Sequence, residues 1–448
     1  MNFTKTENNK KRPVNIVEGN RIGNLPEHLI DLIFERLPIQ DVIRTSVLSQ
    51  KWRYKWITMK SVIFDEQISK KLGEYGALGT RGFIRVINHV LLLHKGSIDK
   101  FYLYIPNIYL DSFQEVDQWM LLLSTNGIKD ITLINSIRRY QLPLCLFSCL
   151  ELRKLELYKC IFKPPLKFEG FLYLESLILR NTEFTSDLGG NMINVPQLKK
   201  LFVRSCTNIY NLKIKATKLQ ILHVINCNDV MLPDLLHSQC LDTVHITLKK
   251  PIKDFSRLNW THLELILPKV RWFVINGYFL EVFIAERPNL FQHRVISLKS
   301  LWLYDFSLGD LDHVLGVLCL LRNSPNLEML CLRHIHMESK SMHYDVETTS
   351  NHLESPDCLD QTLNRLQTVH ISHLQGSRPE LLFIKLLLAN SPSLEKFTIE
   401  FNAASDANKW SNIAKDVMQY PRASSKAELV YYHPKSLVIL SQPTCYNG

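Results

Sequence analysis

The chain has 448 residues, more than one hydrophobic core ordinarily serves, so either several domains or an elongated repeat array is expected. Apolar residues make up 46% and charged residues 21%, an ordinary balance for a folded soluble chain, and no apolar run approaches the roughly 18 residues that would span a bilayer. The net charge of +10 is a modest bias toward anionic partners over this length, not a demand for one.

Residues 1–20, MNFTKTENNKKRPVNIVEGN, are polar and lack the apolar centre of a secretory signal. A disordered N-terminus and a nuclear or cytoplasmic location are expected, with Lys10–Pro13 read either as part of an import signal or as a plain basic tail. The ten cysteines include no CxxC pair and sit mostly within apolar patterns, as reduced, buried thiols do.

The next segment predicts three short helices. NLPEHLIDLIFERLP carries Asn24 as an N-cap candidate, Pro26 in the first turn and Pro38 as a stop, with Leu25, Leu29, Leu32, Ile33 and Leu37 at helical spacing. IQDVIRTSV predicts a second helix with Val42 and Val47 inward. SQKWRYKWITM predicts a third, capped by Ser49, in which Trp52, Trp56 and Met59 form one stripe. Arg44 to Trp56 packs four basic and three aromatic residues into thirteen positions, a composition suited to nucleic acid. The tryptophans, however, belong to the apolar stripe of an amphipathic helix, which argues against base stacking. Three helices of this size barely close a core, so part of their apolar surface is expected to face a partner.

Leu25 to Trp56 closely resembles an F-box, and in particular that of the plant F-box/FBD/LRR-repeat family. Leu25-Pro26, Ile33 to Pro38, the RTSVLS of Arg44 to Ser49, and Trp52-Arg53 with Trp56 match in order. The resemblance implies docking on a Skp-type adaptor and, through it, a cullin. It nominates Leu25, Pro26, Ile30, Ile33, Leu37, Pro38, Val42, Leu48 and Trp52 as adaptor-binding candidates, shared in a proportion the sequence leaves open between the partner and the domain's own core. Burying five or six such side chains at roughly 1.5–3 kcal/mol each can outweigh an association cost of about 4–15 kcal/mol.

From Ile98 a pattern L-x-x-L-x-L recurs. Its instances begin at Ile98, Ile128, Leu152, Leu174, Leu198, Leu219, Leu241, Leu298, Leu327, Leu366 and Leu394, with a weaker one at Val270. Between Ile128 and Leu241 the step is 21 to 24 residues, within the leucine-rich-repeat range. Each unit then supplies one strand whose phased apolar residues fill a core shared with its neighbours. Cys160, Cys206 and Cys227 occupy the consensus Asn/Cys position, which accounts for them without a metal. Cys145, Cys149 and nearby histidines lack four-ligand spacing, so neither metal nor cofactor is expected. The polar stretch 338–358 reads as an exposed, mobile loop, with a partner-binding or modification site as the alternative.

Before the repeats, Phe83 to Leu93 predicts an amphipathic helix, followed by a turn at His94 to Ser97. Near the C-terminus, LQTVHISHLQGSRPELLFIKLLLANSPSLEKFTIEF and PRASSKAELVYY resemble the FBD module: strand, Gly376 linker, helix from Glu380 to Ala389, strand, closing signature. The fold class is therefore α/β: an N-terminal three-helix F-box, a leucine-rich-repeat solenoid (horseshoe) and a C-terminal FBD module. The expected boundaries are 21–60 for the F-box, 61–97 for a helical connector, 98–358 for the repeats and 359–440 for the FBD module.

No phosphate loop, HExxH or GxSxG is present. The histidines of HIHM (His334, His336) and HISH (His370, His373) read as surface or satisfied core residues. A non-catalytic subunit is expected, holding an unknown protein target on the repeats for an SCF-type ubiquitin ligase. The alternative is a leucine-rich scaffold with a non-ligase role, nucleic-acid association included; a small-molecule-sensing repeat domain is a third reading, with no ligand motif to carry it.

Overall fold

The computed structural model describes residues 25–432 except 46, 49, 74–76, 107–112, 186–191, 228–237, 252–266, 286–294, 335–345, 360–361 and 403–406. The expected disordered N-terminus, Lys10–Pro13, Asn24, Ser49 and His336 thus lie outside the described residues, as does the first part of the polar stretch.

Fourteen described strands form one sheet in chain order, every neighbour pair parallel. They are β1 (Ser61–Phe64), β2 (Lys100–Ile105), β3 (Asp130–Asn135), β4 (Lys154–Tyr158), β5 (Ser176–Arg180), β6 (Lys200–Arg204) and β7 (Ile221–Ile225). There follow β8 (Thr243–Ile246), β9 (Trp272–Asn276), β10 (Ser300–Phe306), β11 (Met329–His334), β12 (Thr368–Leu374), β13 (Lys396–Phe401) and β14 (Glu428–Tyr432). All twelve motifs found in the sequence form strands β2 to β13. The first, fourth and sixth residues of each motif point into the core: in β6 these are Leu198, Leu201 and Val203, all 0% exposed. One continuous cluster of buried residues runs from Ile30 to Ala427.

The carbonyl of the second motif position accepts from two N–H groups of the next unit. Asp99 O takes Lys129 N and Asp130 N at 2.9 Å each, and the same step repeats as far as Glu428 N on Glu395 O. The eighth position turns the chain out of the strand in the left-handed region. Lys159, Asn181, Ser205, Asn226, Asp305 and His373 all have φ between 49° and 63° there. The ninth residue then points inward, so Cys160, Cys206 and Cys227 are buried and each donates its S–H to the carbonyl two residues back. Thr182 does the same with its hydroxyl, which explains why the position is open to a small weak donor. Burial pushes the Cys206 thiol up to about 12, the state of an inert structural cysteine.

Two expectations need correcting. The 61–97 connector is not purely helical: SVIF forms β1, registered Ser61 to Lys100 against β2, so the sheet begins before the first recognised motif. Helices Glu66–Gly73 and Ala77–Leu93 follow it. The polar stretch is not all exposed loop either. Val346–Glu354 is a helix in which Thr349 and Ser350 are fully buried, and Arg378 bonds Glu354 at 2.8 Å to tie it to the next helix.

The later motifs are spaced more widely because helices replace short return segments on the core side: Gly277–Ala285, Leu311–Asn323, Arg378–Asn390 and Ala407–Met418. The C-terminal segment does not stand apart, since β12, β13 and β14 continue the ladder from β11. Its helix Arg378–Asn390 opens with a capping box between Ser377 and Glu380. Just before it, Gly376 has φ +80°, and a Cβ there would strike the Ile413 side chain on the following helix. Gly376→Ala is expected to lower stability by about 1–3 kcal/mol, read as a fall in the unfolding midpoint; adding Ile413→Val should recover the steric part and leave the backbone strain.

Candidate functional site

The N-terminal helices are α1 (Glu27–Phe34), α2 (Ile39–Thr45) and α3 (Gln50–Arg53), the last continuing as a 3-10 turn, Lys55–Thr58. The third predicted helix is therefore broken in two, but its stripe survives: Trp52, Trp56 and Met59 are buried. Trp52 stands edge-on to Phe34 with ring centroids 5.2 Å apart. Lys55 reaches Asp31 at 3.1 Å, and α2 lies against β1, so the unit is seated on the first strand of the sheet.

Burial divides the nine adaptor-binding candidates. Ile30 (2%), Val42 (0%) and Trp52 (3%) fill the domain's own core, and a partner has no access to them in this fold; for these three the docking assignment is corrected. Leu25, Leu37 and Pro38 are half-buried, while Pro26, Ile33 and Leu48 are exposed. Residues not nominated complete the free surface: Leu29 and Leu32 lie beside Ile33 at helical spacing on α1, and Tyr54 follows α3. Val47, expected inward, is 86% exposed in the turn after α2. Part of the division was present in the sequence: Ile30 and Phe34 are four apart and Leu32 falls opposite them, while Leu29 and Ile33 lie on the flank between, at 38% and 39% exposure. With Trp52 and Trp56 enclosed, the basic and aromatic segment offers neither tryptophan for stacking on bases.

The second candidate surface is the face of the sheet turned away from the core, carrying the third, fifth and seventh motif positions. Across β6 to β12 the fifth positions form one registered row: Phe202, His223, His245, Val274, Trp302, Cys331 and His370. Their rings touch in sequence. Phe202 and His223 lie 5.5 Å apart and His223 and His245 5.3 Å apart, and the small Val274 lets Tyr304 reach His245 at 6.2 Å. Val274, Trp302 and Cys331 make a second apolar cluster separate from the core. Trp302 donates to Ser300 Oγ at 2.8 Å.

This row holds its histidines neutral. Burial lowers His223 to about 4, His370 to about 4 and His245 to about 3, the last helped by His223 and Arg204 beside it. For His370, burial outweighs the Glu400 carboxylate 3.9 Å away, and Lys396 pushes the same way. His373 lies in the left-handed turn, and His334 ends β11. Among the described residues no group of three His, Cys, Asp or Glu is placed to hold a metal, and no helix is long and apolar enough to cross a membrane.

The depressed histidine values carry a stability consequence. The unfolded chain binds protons on these imidazoles near 6.5 and the folded chain only near 4, so their contribution is complete above about 6.5 and declines as pH falls toward about 4. The unfolding midpoint is expected to drop across that window, and His223→Gln with His245→Gln should flatten the drop in a thermal melt series.

Comparison with known proteins follows the same division. A family model described as "At1g61320/AtMIF1, LRR domain" matches residues 90–428, and the F-box domain model matches residues 22–63. "F-box/FBD/LRR-repeat protein At1g13570" of Arabidopsis thaliana is 34% identical over 92% of this chain and 98% of its own length. "F-box/LRR-repeat protein 13" of the same plant is 23% identical over 91% and 95%, and "Probable FBD-associated F-box protein At1g32375" 22% over 92% and 99%. With an F-box ahead of a repeat sheet that extends through the C-terminal segment, the chain belongs to the plant F-box/FBD/LRR-repeat family.

Proposed function

We propose that the chain is the substrate-recognition subunit of an SCF-type ubiquitin ligase. The exposed apolar face of the F-box docks on a Skp-type adaptor, which joins it to a cullin, while the repeat sheet holds a protein target. The observation that carries this reading is the free face itself: Leu29, Leu32, Ile33, Leu48 and Tyr54 are 38% to 67% exposed on a unit whose other face is fully packed. Three exposed apolar side chains within five residues of α1, with two more in the turns after α2 and α3, amount to more than scattered surface leucines.

The role is positional. A target held on the sheet keeps its lysines near a charged conjugating enzyme at raised effective concentration, and transfer chemistry belongs to other subunits. A nuclear or cytoplasmic location belongs to the same proposal.

Co-purification of the full chain with a Skp-type adaptor tests the reading. Leu32→Asp and Leu48→Asp alter exposed positions, so both variants should fold as the parent does and bind at least about tenfold more weakly. Trp52→Ala should instead cost about 3–5 kcal/mol of stability by opening the core beside Phe34. Unchanged binding by the folded aspartate variants would remove this face from the interface.

A further inference from the structure

Strand β6 reads KLFVR, and its alternation sends Leu201 and Val203 inward and Lys200, Phe202 and Arg204 to the opposite face. The result is a cation, an aromatic ring and a cation in line on the open side. Successive side chains on one face of a strand leave the backbone roughly 6.6 Å apart, so the two cationic side chains are rooted on either side of the ring.

The surroundings make this strand different from its neighbours. Arg180 is the registered partner of Arg204 on β5, which places two guanidinium groups side by side on the same face. Arg180 is answered by Glu156 at 3.0 Å and lies over the Phe202 ring at 5.3 Å. Arg204 and Lys200 are both exposed, and neither has an acidic partner among the described residues. Like charges opposed across adjacent strands are unfavourable, and a carboxylate set between them reverses the sign of that term. Phe202 and its registered neighbour Ile178 are only half-buried, so apolar surface remains available between the cations. Beyond Phe202, the packed row of His223, His245 and Trp302 gives the ring a stiff neighbour on one side.

We propose that this corner of the sheet binds an acidic protein segment that places a bulky apolar side chain between two carboxylates, the apolar group on Ile178 and Phe202 and the carboxylates on Lys200 and Arg204. Charge selects the segment and the ring fixes its register. The inference rests on the reading of the repeat sheet as the target-holding surface and names the chemistry of that target. A polyanion without an apolar anchor gains only the charge term.

The test is selection from a displayed library of random 12-residue peptides on the full chain bound to its adaptor. Peptides with Asp or Glu flanking an aromatic or large aliphatic residue should be enriched. A synthetic peptide of that sequence should bind at least about tenfold more weakly to Arg204→Glu and to Phe202→Ala. Because Arg204 is exposed, Arg204→Glu should keep the parent's unfolding midpoint, and binding to it should return when the matching peptide carboxylate is changed to lysine. If Phe202→Ala loses its fold, the charge exchange at Arg204 carries the result alone. Selection of neutral or basic peptides, undiminished binding by Arg204→Glu, or displacement of the peptide by a dT20 oligonucleotide would each overturn the proposal. Leu32→Asp separates the two readings: loss of adaptor binding with the peptide retained concerns the F-box, whereas loss of the acidic preference with the adaptor retained concerns β6.

Discussion

Each repeat carries three inward apolar residues, one just before and two on a strand of four to seven residues, and no such strand can shield them alone. They are dry only because the units before and after it close over both sides, and the doubly accepting carbonyl at the second motif position locks each unit to the next at fixed spacing. Every other feature of the molecule answers to that nearest-neighbour dependence. It fixes a parallel register, demands a sharp exit from each strand, and leaves the two ends of the array with a problem the middle does not have. The left-handed eighth residue supplies the exit, and its N–H still reaches the next strand, as Lys159 N does to Arg180 O at 2.8 Å, so the turn costs no ladder bond.

The N-terminal end shows how the array's need and the protein's purpose meet in one unit. A first strand with a bare edge is an invitation to pair with another chain. Here α2 packs on β1, Gln40 and Lys95 bond across to Asp65 and Ile57, and the core of the F-box runs into that of the repeats. The F-box helices therefore use one face, Ile30, Phe34, Val42 and Trp52, to close themselves and the array. What remains exposed is Leu29, Leu32, Ile33 and Leu48. Those side chains stand on a unit whose core is continuous with that of the sheet.

Most of this was legible in the sequence because period and burial are the same fact in a repeat. The positions of Leu152, Leu174, Leu198 and Leu219 announce strands, and the cysteine at the ninth position announces a buried turn. What was hidden had no period to betray it. SVIF at β1 is a single unit lacking the long lead-in of the others, and Val346–Glu354 is a helix of mostly polar residues whose buried Thr349 and Ser350 look like loop composition. The F-box candidates were left undivided for a different reason. A resemblance marks which positions matter and is silent on which direction each one faces, so the division of the nine between core (Ile30, Val42 and Trp52) and surface (Ile33 and Leu48) comes from burial alone. The His223–His245 contact was likewise invisible, since twenty-two residues separate the two and only the register of β7 on β8 brings them together.

The alternation of each strand explains why the scaffold says so little about its target. First, fourth and sixth positions are committed to the core, and a polar residue there would break two units at once. Third, fifth and seventh positions carry no such duty, so their chemistry is free to be set by whatever lies on the open face. Most of the central row has nevertheless turned apolar and aromatic, from Phe202 to Cys331, a composition the sheet does not require for its own closure. Where that row meets Lys200 and Arg204, the same five-residue strand does both jobs: Leu201 and Val203 hold the array together while the residues between them present charge and ring outward. Changing the outward set alters what the face can hold without touching the inward set that keeps it folded, which is how one scaffold can serve many relatives of modest identity.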